Sequence, residues 1–161
     1  VAWRRQPPAA PAPAAATVSP AEPTRLRPED AALEGRGVKG APLRLGRDAG
    51  SGAAFLGGWM VPQQRAWWAV EVARAGAYEV EVAVRPPRAG QGGATLAVLA
   101  GADRLTGAVP DGDALRTFQA VSLGQVRLPA GPGRLTLEPE ALKWGYLLGE
   151  VAAVVLRPAS P

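Results

Sequence analysis

The sequence predicts an all-β protein whose short strands pack as an antiparallel sandwich or barrel. Apolar and polar residues alternate through 65–72, a short turn follows, and the alternation resumes through 77–84. Gly and Pro interrupt the remaining sequence roughly every ten residues, which is typical of sandwiches and barrels. No window shows the sustained period of about 3.6 residues that an amphipathic helix requires.

The chain of 161 residues opens with a segment rich in Pro and Ala, and residues 1–24 are predicted to be a linker. Its run QPPAAPAPAAATVSPAEPT has prolines at a spacing that blocks helices and sheet ladders. Such a segment is expected to be a disordered, extended tether that holds one module away from another. The folded module is expected to span 25–161, which is long enough to bury its own core.

The elements of this module are predicted in chain order. The stretch PEDAALEG, at 28–35, predicts either one helical turn or a first strand. Residues 65–84 predict a hairpin whose turn contains Gly76, because glycine tolerates positive φ. Further strands are predicted in ATLAVLAG, DRLTGAV, RLTLEP and the closing GYLLGEVAAVVLRP, with a turn at 129–133. The segment LRTFQAVSLGQVRL is predicted to be either one strand or a bulged pair.

Two adjacent tryptophans in the first strand of the hairpin are predicted to face opposite ways. Consecutive side chains of a strand point to opposite faces of the sheet. Trp68 shares the parity of Val70 and is expected in the core, so Trp67 is expected to face outward. An outward Trp beside Arg65 and Glu71 is suited to stacking on a sugar ring whose hydroxyls the polar neighbours bind. The alternative is that Trp67 packs under a loop or against a partner domain.

The composition argues against several classes of function. The chain has no Cys and no His, so the usual groups of metal-dependent, Cys/His and Ser/His hydrolysis are missing and no enzyme is expected. The formal charge is +4, but residues 1–27 hold four basic residues against one acidic, and the rest is nearly balanced. Phosphate backbones require a concentrated basic face, so nucleic acid is not an expected partner. No apolar run reaches about 18 residues, so no membrane span is expected.

Several segments in sequence order resemble family 6 and family 35 carbohydrate-binding modules. They are the opening LRPEDAALEGRG, then GGWMVPQQRAWWAVEVARAGAYEVEVAV, RTFQAVSLGQVRLPAGPGRLTLEPE and the closing GYLLGEVAAVVLRP. The most similar version is the sandwich domain appended to exported bacterial hydrolases, such as sulfatases and α-fucosidase-like enzymes. The resemblance covers about residues 28–158. It implies a galactose-binding-like jelly-roll β-sandwich that is usually non-catalytic.

The resemblance also implies where a ligand would bind. In the resembling modules the cleft lies between loops at one end of the sandwich, and loops on a rigid scaffold commonly carry binding residues. Trp59 in a Gly-rich loop, and Trp144 with Tyr146 before the last strand, are the expected aromatic contacts. Gln63 and Gln64 are the expected partners of hydroxyl groups. The alternative for Trp59 and Tyr146 is that they plug the open ends of the sandwich.

The expected function is weak glycan recognition by aromatic stacking, which would concentrate an attached hydrolase on its polysaccharide. The alternative is a structural or protein-interaction sandwich that packs against a neighbouring domain and has no ligand of its own. In either case the expected location is extracytoplasmic: periplasmic, cell-surface or secreted. No cofactor is expected, although the resembling modules sometimes hold a structural calcium ion. The candidates by resemblance alone are Glu29, Asp30, Glu34 and Glu150.

Overall fold

The computed structural model describes residues 13–35, 40–87, 93–112, 117–142 and 148–160. These ranges contain two six-stranded β-sheets and one 3₁₀ turn, Pro28–Asp30. Within them, no helix has the length and apolar character needed to cross a membrane. The strands are β1 (Ala16–Val18), β2 (Thr24–Leu26), β3 (Ala32–Glu34), β4 (Arg44–Arg47), β5 (Ala54–Gly57), β6 (Arg65–Val72), β7 (Gly76–Arg85), β8 (Thr95–Ala100), β9 (Asp103–Ala108), β10 (Gln119–Leu128), β11 (Gly131–Ala141) and β12 (Glu150–Pro158).

The two sheets form a sandwich of antiparallel strands. Sheet A has the order β1-β6-β11-β8-β9, with β3 also paired to β6. Sheet B has the order β10-β7-β12-β5-β4, with β2 also paired to β12. The pairing of β1 with β6 is parallel, and the other pairings described here are antiparallel. The predicted all-β sandwich is confirmed. The predicted hairpin over 65–84 is wrong, because β6 belongs to sheet A and β7 to sheet B, so the turn between them crosses from one sheet to the other.

The core lies between the sheets and is built by period-two alternation. Along β6, every second residue from Ala66 onward is buried. Along β7, the buried set is Tyr78, Val80, Val82 and Val84. Trp68 is 1% exposed, and its indole N–H donates to the Arg27 carbonyl at 2.8 Å. Trp67 points to the opposite, outer face of sheet A, so the predicted division of the two indoles is confirmed.

Strand β1 lies within residues 1–24, the segment predicted to be a linker, and the division of the chain into linker and module stays a prediction. Ala16–Val18 pair with Val70–Val72 at the edge of sheet A, and Val18 is fully buried. The stretch AATVS, which contains these residues, lacks proline, so its backbone can complete a sheet edge where the neighbouring Pro-rich sequence cannot. Residues 1–12 of the predicted tether lie outside the described ranges.

Two ambiguous segments of the sequence are resolved by the structure. PEDAALEG forms both of the predicted alternatives, since the 3₁₀ turn at Pro28–Asp30 leads directly into β3. LRTFQAVSLGQVRL contributes a single strand, β10, whose register against β7 shifts between Ser122 and Gly124. Such a β-bulge adds local twist without ending the strand.

Candidate functional site

Trp59 and Gln64 are buried in the loop between β5 and β6, which contradicts their predicted role in contacting a ligand. Both are 0% exposed. The Trp59 indole N–H donates to the Leu56 carbonyl at 3.1 Å. The Gln64 side-chain oxygen accepts from the backbone N–H groups of Met60 and Val61, and its amide N–H donates to the Gly58 carbonyl at 2.9 Å. Buried polar groups require such partners, so Gln64 organises the loop and Trp59 fills the space beneath it.

The remaining loop residues have separate outcomes. Gln63 is exposed, and its role in binding hydroxyls stays a prediction. A Cβ atom added to Gly35 would lie only 2.4 Å from the Gln63 carbonyl oxygen. The backbone of this loop therefore packs tightly on the end of β3. Trp144 and Tyr146 lie outside the described residues.

Trp67 lies on the outer face of sheet A, but an arginine covers its ring. The Arg134 guanidinium carbon is 3.8 Å from the ring centroid. The indole N–H donates to a Glu34 oxygen at 3.0 Å, and Arg134 donates to the same oxygen at 3.3 Å. This cation–π contact and its carboxylate bridge occupy the surface on which a sugar ring would stack. The structure therefore does not present Trp67 as an open platform.

A different group of aromatic and charged side chains meets on the outer face of sheet B. Arg85, the last residue of β7, is paired in register with Glu150, the first residue of β12. Its guanidinium donates to Glu150 and, at 2.8 Å, to Asp48 after β4. The guanidinium carbon lies 4.5 Å from the ring centroid of Phe118 and 5.5 Å from that of Phe55. These five residues are called the Arg85 cluster below.

Phe55 lies flat on the sheet because two of its neighbours are glycines. Gly46 pairs with Phe55 across β4 and β5, and an ideal Cβ on Gly46 would come within 2.5 Å of the phenyl ring. A Cβ on Gly57 would sit 3.4 Å from the same ring. Covering strand glycines with an aromatic ring protects the bare backbone. The ring is half-buried, so part of its aromatic surface stays accessible above the two glycines.

Hydrogen bonds and charge contacts keep Asp48 and Arg85 in their charged forms. Hydrogen bonds from Arg85 and from the backbone N–H and hydroxyl of Ser51 lower the pKa of Asp48 to about 2. Burial alone would lower the pKa of Arg85, but its hydrogen bonds and charge contacts with Asp48 and Glu150 outweigh that effect and raise it. The site thus contains a guanidinium bound by two carboxylates and flanked by two phenyl rings.

The lowered pKa of Asp48 predicts a specific acid sensitivity. Below its ordinary value of 3.8 and above about 2, the unfolded chain binds more protons at this residue than the folded chain does. The free energy of unfolding should therefore fall as the pH falls through this window. Urea denaturation between pH 5 and pH 2, followed by tryptophan fluorescence, should show this fall in the wild type and a flatter profile in Asp48→Asn. Equal slopes for the two proteins would contradict the ion pair.

The acidic residues that the resemblance assigns to calcium do not fit a shared metal site. Each faces a cation: Glu29 faces Arg47, Asp30 faces Arg27, Glu34 faces Arg134 and Glu150 faces Arg85. Among the residues that the structure describes, no three Asp or Glu side chains lie close enough together to hold an ion. Calcium requires several oxygen ligands at one point.

A concavity of about 410 Å³, separate from the Arg85 cluster, opens at the end of the sandwich that carries the β8–β9 and β10–β11 turns. Its walls include Val70, Leu128 and Leu135, with Pro129 and Pro132 among its other lining residues. The lining is mainly aliphatic, and none of the predicted site residues is part of it. Binding pockets usually add a few converging polar groups to such walls, which the Arg85 cluster has and this cleft largely lacks.

Four of the five residues in the Arg85 cluster are not predicted from the sequence as site residues; the fifth, Glu150, is predicted only as a calcium candidate. The sequence feature that indicates these residues is the alternation along each strand, which places every second side chain on the outer face of the sheet. Arg85 shares the outward parity of Glu79 and Glu81, and Phe118 pairs opposite Arg85 by extension of the β10 register. That these residues meet depends on the strand order of sheet B, which alternation does not specify.

Comparisons with known proteins establish the fold. No protein-family model matches the sequence, and no curated protein is significantly similar to it. The GH26-CBM35 β-(1,4)-mannanase of Podospora anserina is 21% identical, with a TM-score of 0.65 over 87% of this chain. CsCBM6-3 of Clostridium stercorarium, solved in complex with cellobiose, is 15% identical, with a TM-score of 0.64 over 91% of this chain. The mosquito-larvicidal Cry4Aa toxin of Bacillus thuringiensis is 10% identical, with a TM-score of 0.71 over 91%.

The chain spans different shares of these proteins. It covers 28% of the mannanase and 25% of the toxin, but 98% of CsCBM6-3. The toxin shows that one sandwich serves unrelated functions, so the chemistry must be argued from the site. What the likeness establishes is architectural: the chain has the β-sandwich fold of family 35 and family 6 carbohydrate-binding modules.

Proposed function

We propose that the chain is a non-catalytic accessory module that binds a glycan weakly at the Arg85 cluster and thereby brings an attached hydrolase to its polysaccharide. The shared fold supports this class of function, since one similar structure includes a mannanase and another holds cellobiose. The observation that carries the proposal is the Arg85 cluster, where two half-buried phenyl rings flank a charged, hydrogen-bonding centre on an outer sheet face.

The cluster offers the two kinds of contact that a sugar ring needs. Arg85 contacts Phe55 and Phe118 from greater distances than Arg134 contacts Trp67. The part of each half-buried phenyl ring that stays exposed is apolar surface on which the C–H face of a pyranose can pack. Asp48 and Glu150 are each 24% exposed at the side chain, and their oxygens can accept hydrogen bonds from hydroxyl groups. Arg85 fixes both carboxylates in place, so little ordering is required when a ligand binds.

The same contacts argue against catalysis at this site. A glycosidase needs one carboxyl group that stays protonated near neutral pH and a second that is ionised. Asp48, with its pKa lowered to about 2, is fixed in its ionised form, and Glu150 is held by the same guanidinium. Recognition without covalent chemistry is therefore the function that we assign.

The wider setting is part of the proposal. Accessory modules act by raising the local concentration of a catalytic domain on an insoluble or polymeric substrate. We assign the neighbouring domain to the exported hydrolases, with sulfatases and α-fucosidase-like enzymes as the first classes to test. The corresponding location is extracytoplasmic.

Phe118→Ala should weaken glycan binding about tenfold, which corresponds to roughly 1.4 kcal/mol, because it removes one aromatic contact and leaves the sheet intact. Calorimetric titration and affinity electrophoresis with soluble mannan, xylan, β-1,3-glucan and galactan would measure this. Leu33→Ala is the matched control, since Leu33 is a large apolar residue that is 38% exposed on the other sheet. Its affinity should equal that of the wild type.

Three results would count against the proposal. If no polymer binds, the structural alternative, in which the module packs on a neighbouring domain, is favoured. If Trp67→Ala abolishes binding while Phe118→Ala does not, the ligand lies on sheet A. Turnover of a polymer that is lost on removing one carboxylate would show that the chain is an enzyme.

A further inference from the structure

We infer that the Arg85 cluster selects neutral glycans over carboxylated ones, and that Asp48 determines this selectivity. The inference rests on the proposed function, because it concerns the same site. A buried arginine between aromatic rings at a ligand site suggests a receptor for an acidic sugar. The contacts of Arg85 indicate the opposite.

Both terminal nitrogens of the Arg85 guanidinium already serve carboxylates of the protein itself. One terminal nitrogen donates to Asp48 and the other to Glu150. Its Nε is buried and has no partner among the described atoms, and the side chain is only 16% exposed. Recognition of a ligand carboxylate requires two adjacent N–H groups of the fork to be free and accessible. Here both terminal nitrogens donate to the protein's own carboxylates, and the remaining Nε is buried, so a ligand carboxylate does not find an accessible pair of free N–H groups.

A ligand therefore meets carboxylate oxygens at the centre of the site. Asp48 accepts from Arg85 through one oxygen, and from the backbone N–H and hydroxyl of Ser51 through the other. The Asp48 oxygen that accepts from Ser51 already has two hydrogen bonds, but the oxygen that accepts from Arg85 has one acceptor site left, and a sugar hydroxyl is a suitable donor to it. A uronate would instead place its negative charge beside two negative groups. Because Asp48 remains ionised down to about pH 2, protonation does not relieve this repulsion at working pH.

Arg44 is the competing feature on this face. It is exposed, lies in register with Gly57 beside Phe55, and makes no ion pair with any described residue. An exposed charge in water gives about 1 kcal/mol or less and is screened by salt. It does not outweigh two carboxylates held at the centre of the site, and the experiment includes it as a separate arm.

The experiment compares one polymer in two charge states. The hexose polymer of the neutral panel that binds most tightly (mannan, β-1,3-glucan or galactan) is oxidised at its C6 hydroxyls to the uronate, and both forms are titrated at about 20 mM and about 500 mM NaCl. The wild type should bind the uronate about tenfold more weakly at low salt, and the difference should shrink at high salt, since Coulomb repulsion is screened whereas loss of a hydroxyl contact is not.

Variants then locate the charge responsible. Asp48→Asn should bring the two affinities within about threefold of each other at low salt. Glu81→Gln is the matched control, because it removes one negative charge four residues from Arg85 on the same strand, where Glu81 pairs with Arg157. It should keep the wild-type difference. Arg44→Gln should leave the preference for the neutral polymer intact. Thermal unfolding of each variant confirms that it is folded.

The outcomes separate the two levels of the proposal. Equal or tighter binding of the uronate by the wild type overturns the selectivity and leaves glycan binding standing. An equal effect of Asp48→Asn and Glu81→Gln also overturns it, because overall charge rather than Asp48 would then decide. Absence of binding to either polymer refutes the proposed function, and the selectivity with it.

Discussion

Trp68→Ala should lower the free energy of unfolding by about 3–5 kcal/mol, the largest effect expected from a single truncation in this module. The indole is 1% exposed between the two sheets, and its N–H is satisfied by the Arg27 carbonyl. Truncation leaves a cavity between the sheets and removes one of the two hydrogen bonds that the Arg27 carbonyl accepts, the other coming from the Asp30 backbone N–H. Against a total stability of about 5–15 kcal/mol, such a loss is severe.

The adjacent residue is the control for this prediction. Trp67→Ala should lower the free energy of unfolding by only about 1 kcal/mol. It removes a half-exposed ring, that ring's contact with the Arg134 guanidinium and one hydrogen bond to Glu34. Urea denaturation curves followed by far-ultraviolet circular dichroism would measure both variants. Similar losses for the two tryptophans would show that both indoles are buried alike, and the strand geometry proposed for β6 would then be wrong.

Gly149→Ala should destabilise the module by roughly 2–5 kcal/mol, because two separate costs combine. Gly149 has a φ of +113°, a conformation that side chains other than glycine's rarely adopt. An added Cβ would also lie 2.2 Å from the carbonyl oxygen of Arg85. This oxygen is a backbone atom, so no change of side-chain rotamer can relieve the overlap. The variant should also weaken glycan binding, since the displaced strands carry Arg85 and Glu150.

Gly101→Ala separates strain from overlap. Gly101 also has a positive φ, +59°, but nothing lies within 4 Å of its ideal Cβ. Gly101→Ala should lower the free energy of unfolding by about 1 kcal/mol. Glycan binding should not change, because the turn between β8 and β9 belongs to sheet A and the Arg85 cluster lies on sheet B. Thermal and urea unfolding of both variants would test this. Equal destabilisation would mean that the close approach of Gly149 to Arg85 has no energetic consequence.

Much of the sandwich could be predicted from local patterns. The parity of Trp67 and Trp68 follows from extended geometry alone, and β6, β7 and β12 each keep one face apolar. The Pro/Ala tract was assigned as a whole, yet β1 forms within it. Ala16–Val18 pair with β6, and Val18 is buried in the core. Composition alone does not predict this contact, because the paired residues are more than fifty positions apart in the sequence.

The candidate site depended on information that local patterns lack. From the sequence alone, a loop aromatic such as Trp59 can be predicted either to contact a ligand or to close the open end of the sandwich. The hydrogen bonds of the loop distinguish the two roles. Gln64 decides this, because its three hydrogen bonds close the loop over the indole. The Arg85 cluster draws its residues from separate segments that only the strand order of sheet B brings together.

The most direct test of the central claim is to map the bound glycan by amide and indole chemical shifts in a ¹⁵N-labelled sample. Titration with a binding oligosaccharide should shift the backbone signals of Phe55, Arg85 and Phe118 and leave the indole N–H of Trp67 unchanged. Shifts confined to Trp67 and its neighbours on the opposite sheet, with the Arg85 cluster silent, would contradict the account.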